Sequence, residues 1–481
     1  MQRDPVEPVR PIGVCLPVVR TVLASRLVTP SRTRPGESHS AEAFPARPPF
    51  TVRARLLTPL GAGGTLHEPD GLIEVDAAGR IVFAGPASAR PELAAASPDV
   101  RPLLAMPGLV DLHVHLPQIP NAGVGAGLDL LTWLDRYVFP LERQWDDPAV
   151  AERLAPLAFE AFAAAGTTTA LMYGTVFAAS LDAAFRAAEA HGIRAIIGKV
   201  MMDRGTYDET IDPTTILSRS LRESNELCAR WHMADRGRLR YAFSPRFAVS
   251  CTEEMLRESA AAARASGAYW QTHVSEDRAE IEEVRRLFPD VIDYVDVYDR
   301  AGGLGERTIL AHAIHLSDRE LARLVETGTR VAHCPASNLF LASGVMPLAR
   351  YLEAGLVVGL GSDVAAGPDL SIFTAMRVGA YTQNALRVVR ADPWPTLGPL
   401  DWLRMGTLGG AEALGLDAEI GSLEAGKEAD LLLVDPTLTL PLPGGPVDDD
   451  PTALMSRLIF RAHPSMVRAA FVRGRRLAGP S

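Results

Sequence analysis

Residues 106–118 read MPGLVDLHVHLPQ. A mostly apolar run from Gly108 to Leu112 leads into His113-Val114-His115, the pattern of a β-strand that ends in two imidazoles. Successive side chains of a strand alternate between faces, so His113 and His115 project side by side from one wall. Two imidazoles held that way are part of what a metal ion needs from a rigid scaffold. A strand with two incidental histidines has the same local sequence, so the choice between the two rests on what the rest of the chain supplies.

Downstream of this stretch one unit recurs: amphipathic helix, glycine, short apolar strand. A helix over 151–165 ends at Gly166 before TTTALMY, and one over 181–191 ends at Gly192 before IRAIIGKV. A third runs from Pro213 towards Gly237 before LRYAFS, and a fourth over 253–266 ends at Gly267 before AYWQTHV. The helix over 318–327 stops at Gly328 before TRVAHC, and the last of the type stops at Gly355 before LVVGLGS. Glycine just past a helix end is the expected left-handed cap, and its recurrence at the same place is hard to obtain by chance. The strands GLVDLHV, TTALMY, RAIIGKV, LRYAFS, YWQTHV, TILAH, RVAHC and VVGLGS alternate with these helices. The economical α/β solution is a closed (β/α)8 TIM barrel over residues 106–417, with further helices from Ser371 to about Leu416.

On either side of the barrel the pattern changes. Residues 1–50 are rich in Pro, Arg, Ser and Glu without a sustained period, and are expected to be a disordered or loosely attached extension. From Thr51 short apolar runs alternate with turns, and Asp76-Ala-Ala-Gly79 between two of them is a hairpin signal. The tail from Gly421 returns to strand character. A small β-sandwich domain is therefore expected from residues 51–105 plus 418–481.

Composition removes several function classes. The 481 residues carry 58 acidic against 48 basic side chains, a net charge of −10, and no basic run interleaved with aromatics marks a nucleic-acid groove. Lysine occurs only at Lys199 and Lys427, which leaves little for Schiff-base chemistry or a carboxylated metal bridge. Cys15, Cys228, Cys251 and Cys334 are widely spaced, without a CxxC pair, so a reducing cytoplasm fits better than a disulfide framework. No apolar run reaches the roughly 18 residues of a spanning helix, and no signal peptide is recognised.

Active sites of such barrels lie at the C-terminal ends of the strands. His113 and His115 end the first strand, His273 ends YWQTHV with Glu276 close behind, His312 ends TILAH, and Asp363 follows VVGLGS. Three or four histidines plus an aspartate, with an open position, suit zinc or a similar divalent ion. Such an ion lowers the pKa of a bound water from about 15.7 to roughly 7. Asp363 can hold the metal and accept the water's proton, and Glu276 is placed to shuttle that proton to a substrate. The remaining histidines read differently. His39, His67, His191, His232 and His463 fall in tail, loop or helix positions, His315 in a loop, and His333 at a strand end where packing is the simpler role. Lys199 and Cys334 are expected to pack rather than react.

Together with these ligands, PGLVDLHVHLPQ, DLLTWLDRYVFPLERQW, GTTTALMYGTV, GKVMMDRG, SPRFAVSC, THVSED, CPASNLFLASG and GSDVAAG resemble the amidohydrolase superfamily, and within it the guanine deaminase family. The resemblance spans about residues 51–475. It implies His113, His115, His273 and Asp363 as ligands of one Zn2+ (Fe2+ being the alternative), and His312 as a contact to the metal-bound water or the substrate. It also implies Glu276 as the proton shuttle, and Gln118, Arg246 and Phe247 as purine-binding residues. The implied substrates are guanine and water, in a cytoplasmic homodimer with no nucleic-acid or membrane partner. Another aminated heterocycle (a different purine, a pterin or a triazine) is the alternative substrate, and a non-catalytic scaffold is the rival of another class. One departure is AHAIHLS, where many relatives place Cys or Gly after the histidine.

Overall fold

The computed structural model describes residues 45–207, 215–390 and 394–479. Most of the N-terminal extension, with Cys15 and His39, lies outside the described residues, as does the predicted helix start at Pro213. β1 (Phe50–Pro59) pairs antiparallel with β2 (Thr65–Val75), and β2 with β3 (Ile81–Pro86). The turn between β2 and β3 is the predicted hairpin. The Asp76 carboxylate accepts from the Ala78 and Arg80 N–H groups, both at 2.9 Å. Gly79 takes φ +81° there, and a Cβ on it would sit 2.1 Å from the Arg473 carbonyl oxygen, so no other residue fits. β4 (Asp99–Pro107) then runs parallel to β1 and delivers the chain to the barrel.

The barrel strands are β5 (Leu109–His115), β6 (Thr167–Tyr173), β7 (Arg194–Gly198), β8 (Val200–Met201), β9 (Leu239–Pro245), β10 (Tyr269–Val274), β11 (Thr308–His312), β12 (Arg330–His333) and β13 (Val358–Leu360). They pair in the order β5-β6-β7-β9-β10-β11-β12-β13, with the two-residue β8 set against β9. The two ends of this path meet. Asp363 N–H donates to the His113 carbonyl at 2.8 Å, and His115 N–H to the Val364 carbonyl at 3.2 Å. The predicted eight-stranded parallel barrel is thus present, and its closing seam runs through residues singled out above as metal ligands. Val110, Leu112, Leu171, Ile196, Ala242, Tyr269, Ile309 and Ala332 come from seven different strands and share one buried cluster, which places them inside the barrel. Ala411, Ala413 and Leu414 of the helix Leu408–Leu414 belong to the same cluster and close its floor.

The helices between strands end as their glycines require. Gly166, Gly192, Gly267, Gly328 and Gly355 follow helices with φ between +69° and +96°. Gly237 differs. Its helix, Ile216–Trp231, stops earlier, and the chain passes through left-handed Met233, Asp235 and Arg236 before Gly237. That turn is held from far away, because the Arg473 guanidinium donates to the Asp235 and Arg236 carbonyls at 2.9 and 3.0 Å.

β14 (Leu431–Val434) pairs antiparallel with β4 and with β15 (Val467–Val472), and β15 pairs with β16 (Arg475–Arg476). The path β16-β15-β14-β4-β1-β2-β3 is one seven-stranded sheet. This is the expected small β domain built from both ends of the chain, its strands hydrogen-bonded in one continuous path around a core of Val52, Leu56, Ile73, Leu103, Leu433 and Phe471.

Candidate active site

Three of the barrel strands that lead to a candidate ligand are bent at their C-terminal ends, whereas β5 stays extended through His115. Ser275, His312 and Asp363 adopt φ of +47°, +71° and +47°, a left-handed conformation that costs a non-glycine residue about 1–3 kcal/mol. Neighbouring backbone bonds sustain it: Ala313 N–H donates to the Val274 carbonyl, Ile314 and His315 N–H to that of Ser275, and Gly367 N–H to that of Asp363. These bends turn His312 and Asp363 towards β5, where His113 and His115 end the first barrel strand.

The side chains converge. His115 Nε2 lies 3.2 Å from His273 Nε2, and His113 Nε2 lies 3.2 Å from Asp363 Oδ1, with His115 Nε2 3.6 Å from the same oxygen. The potential ligand atoms of His113, His115 and Asp363 fall within 4.8 Å of one another, as do those of His113, His273 and His312. The outer ring nitrogens of His273 and His312 are engaged elsewhere. His273 Nδ1 is 2.6 Å from the Arg246 carbonyl, which only accepts, so Nδ1 carries the hydrogen and Nε2 keeps its lone pair for the centre. His312 Nδ1 is held in the same way by Asn338 Oδ1 at 2.9 Å.

The arrangement fits a divalent cation. Burial pushes the His115 and His273 pKa values well below the ordinary range, with His113 adding to the effect, so both rings are neutral and able to ligate. Burial works to raise Asp363, but His113, His312 and His273 outweigh it and hold this carboxylate at about 2. His113 Nε2 is buried with only the Asp363 oxygen near it, and His115 Nδ1 is buried with no partner among the described residues, so the cluster carries an unmet polar demand of the kind a bound cation would satisfy. Imidazole and carboxylate donors in this number suit zinc or a similar ion.

Glu276 sits beside this centre in the opposite electrostatic situation. Burial, then Asp363, Glu280 and Asp277, push its carboxyl well above the usual carboxylate range. Its Oε2 is 3.3 Å from His312 Nε2, and Ser343 Oγ donates to Oε1 at 3.4 Å. Two adjacent buried carboxyls with diverging affinities for a proton are the usual signature of an acid–base pair.

The centre opens into a small cavity lined by His115, Gln118, Leu130, Trp133, Leu134, Arg246, Phe247, His273, Glu276, Leu341, Asp363 and Ala366. His113 and His312 lie behind this lining. Gln118, in the turn Leu116–Asn121, and Arg246, just after β9, form a polar wall backed by the buried carboxylate of Glu142. Phe247 and Trp133 contribute flat apolar surface.

The structure also places the residues read as bystanders. Lys199 points to the helix Ile216–Trp231, 3.2 Å from Ser220 Oγ and 3.5 Å from Glu223. Cys334 is buried, and that burial, with Asp363 and Asp111, drives its thiol well above the ordinary range. His191 and His315 bond backbone carbonyls, His232 accepts from Tyr241 N–H, and His463 accepts from Ser465 N–H. His67 is half-buried beside Arg55, and His333 is buried outside the ligand clusters. Ala313, in the segment that departs from its relatives, does not line the cavity. Glu142, Asn338, Asp111 and Trp133 were not anticipated as individual residues. Glu142 and Trp133 lie in the DLLTWLDRYVFPLERQW segment, whose resemblance was the one signal pointing at them.

A barrel with histidines and an aspartate at its strand ends, and a carboxyl acid–base group beside them, is the architecture of a metal-dependent hydrolase. The amidohydrolase family model matches residues 104–477, and the chain belongs to that family. Within it, the chain groups with guanine deaminases. It is 35% identical to the guanine deaminase of Mus musculus over 420 residues, covering 85% of this chain and 92% of that protein. The solved guanine deaminase of C. acetobutylicum, with guanine bound in its active site, superposes with a TM-score of 0.81 at 26% identity, over 89% of this chain and 99% of the other. An adenosine deaminase from Xanthomonas campestris with bound zinc superposes at 0.74 and 27% identity, over 90% and 93% of the two chains.

Proposed function

We propose that this chain hydrolyses guanine to xanthine and ammonia. The observation that carries the proposal is one cavity in which a hydrogen-bonding wall, Gln118 and Arg246, faces a cluster of histidines, Asp363 and a raised-pKa Glu276. His113, His115, His273 and Asp363 would hold the metal, assigned as zinc. When bound, that ion supplies the Lewis acidity that makes a hydroxide nucleophile available near neutral pH.

The protein's own groups do the rest. Arg246 and Gln118 bind polar ring positions of guanine, and Phe247 covers its apolar face. This orients C2 towards the ligand cluster. Asp363 accepts the proton of the attacking water, and Glu276 carries a proton to a ring nitrogen as C2 becomes tetrahedral. His312, held by Asn338, hydrogen-bonds the incoming oxygen. When the C2–N bond breaks, Asp363 gives the proton it took to the amine, which leaves as ammonia, and the oxygen on C2 passes its remaining proton to Glu276, so that xanthine keeps the oxygen as a carbonyl and both carboxyl groups return to their starting states.

The reading extends to a cytoplasmic homodimer. Buried Cys228, Cys251 and Cys334 are free thiols, which suits a reducing compartment, and the dimer follows from the family resemblance. Light scattering on the purified protein tests the assembly. Ammonia release from guanine, other aminopurines, pterins and triazines, before and after chelation and zinc restoration, tests the activity. Guanine is expected to have the highest kcat/KM and chelation to abolish turnover. A higher value on another heterocycle overturns the substrate assignment, and full activity without metal overturns the mechanism.

A further inference from the structure

Behind the polar wall of the cavity lies a carboxylate that touches neither the ligand cluster nor the cavity itself. Glu142 ends the helical turn Phe139–Glu142 and is 0% exposed. Its Oε1 accepts from Gln118 Nε2 at 2.6 Å and from Arg246 Nη2 at 3.4 Å, while its Oε2 accepts from Arg246 Nη1 at 2.7 Å and from the Tyr207 hydroxyl. The Arg246 guanidinium also lies 5.2 Å over the Phe139 ring, three residues before Glu142.

These contacts have a directional consequence. An ionised carboxylate only accepts, so the Gln118 amide must present its NH2 to Glu142 and turn its Oε1 the other way. Arg246 turns the fork of its Nη1 and Nη2 to Glu142 and keeps the donors on its outer Nε–Nη2 edge. The cavity therefore meets its ligand with a fixed acceptor from Gln118 and a fixed donor from Arg246. A lactam edge, in which an N–H lies beside a carbonyl, matches that pair, and guanine has one at N1–H and O6. A ring with a bare nitrogen beside a C–H leaves both protein groups unpaired, and buried polar groups without partners are what make such discrimination large.

We propose that Glu142 is the positioning residue that sets the hydrogen-bond polarity of this wall and so selects lactam-bearing purines. This rests on the assignment of the cavity as the guanine site. The test is Glu142→Gln, whose near-isosteric amide no longer dictates which way Gln118 faces. Guanine turnover is measured with 2-aminopurine as competitor, since 2-aminopurine keeps the amine but lacks both O6 and N1–H. The guanine KM is expected to rise about tenfold or more, the loss of about one well-made hydrogen bond. Both kcat and the 2-aminopurine Ki should move less than threefold. Tyr207→Phe, which removes one hydroxyl donor from Glu142 and leaves the Gln118–Glu142 bond in place, should shift the KM/Ki ratio the same way by a smaller factor, and it stands in for the first variant if that one fails to fold. An unchanged ratio in whichever variant folds overturns the proposal, as does a parallel rise of KM and Ki. Wild-type protein without guanine turnover overturns the substrate assignment, and this inference with it.

Discussion

Glu276 and Asp363 share one buried site and have been pushed in opposite directions, the first towards keeping a proton and the second towards losing it. If Glu276 is the shuttle, Glu276→Gln retains the ligands and loses the proton relay. Metal content should stay at the wild-type level while kcat falls by about 10²–10⁴-fold, and an unchanged kcat in steady-state assays would remove Glu276 from the mechanism. Arg246→Ala tests the wall. Guanine KM should rise, with a smaller change in kcat and weaker rejection of other purines. The same change strands the buried Glu142 without its cation, a loss of about 3–5 kcal/mol, so a lower Tm should accompany it. Full guanine affinity in that variant would place Arg246 outside the pocket. The candidate ligands were legible because each follows a strand with a visible pattern. Glu142 and Asn338 were not, because their partners lie 104 and 26 residues away in sequence and no local period encodes such a contact.

At the scale of elements, the seam between β5 and β13 decides whether the ligand set exists at all. Asp111 is wholly buried there, and its carboxylate accepts from His113 N–H at 3.1 Å, from Ser362 N–H at 3.0 Å and from the Ser362 hydroxyl. It therefore ties the strand that carries two histidines to the loop that carries Asp363. Asp111→Asn keeps one acceptor oxygen and turns an NH2 towards existing donors. The expected cost is about 1–3 kcal/mol, seen as a lower Tm together with reduced metal content. A wild-type metal stoichiometry and Tm would show that the seam does not depend on this carboxylate. The strand pattern of GLVDLHV predicted a strand, and Leu109–His115 forms one. It did not reveal that the register against β6 shifts between Asp111 and Val114, nor that Asp111 serves the seam, because Ser362 is 251 residues distant. The early helix stop before Gly237 has the same origin: long-range bonds from Arg473 outweigh a local preference for continued helix.

Across the whole molecule, the barrel end opposite the site is joined to the terminal sheet by a buried ionic network. Arg194 begins β7 with 0% of its surface exposed. Its Nε donates to Asp430 Oδ2 at 3.0 Å and its Nη2 to Glu428. Arg473 donates to Glu428 at 2.8 Å through Nε and to Asp430 Oδ1 at 2.9 Å through its backbone N–H. The Asp430 carbonyl in turn accepts from Gly108 N–H, at the junction between β4 and β5. Removing one partner of a buried pair leaves the other charges uncompensated, which costs about 3–5 kcal/mol, whereas replacing all of them together often costs little. Arg194→Met should therefore lower Tm strongly, and Arg194→Met combined with Glu428→Gln and Asp430→Asn should recover part of the loss. Because the network sits at the N-terminal ends of the strands, kcat/KM per folded molecule should stay within about twofold, the range expected when no contact to the transition state is altered. Thermal unfolding followed alongside steady-state kinetics separates the two effects. A variant with unchanged Tm and impaired turnover would mean that this network acts on the site instead of holding the sheet to the barrel.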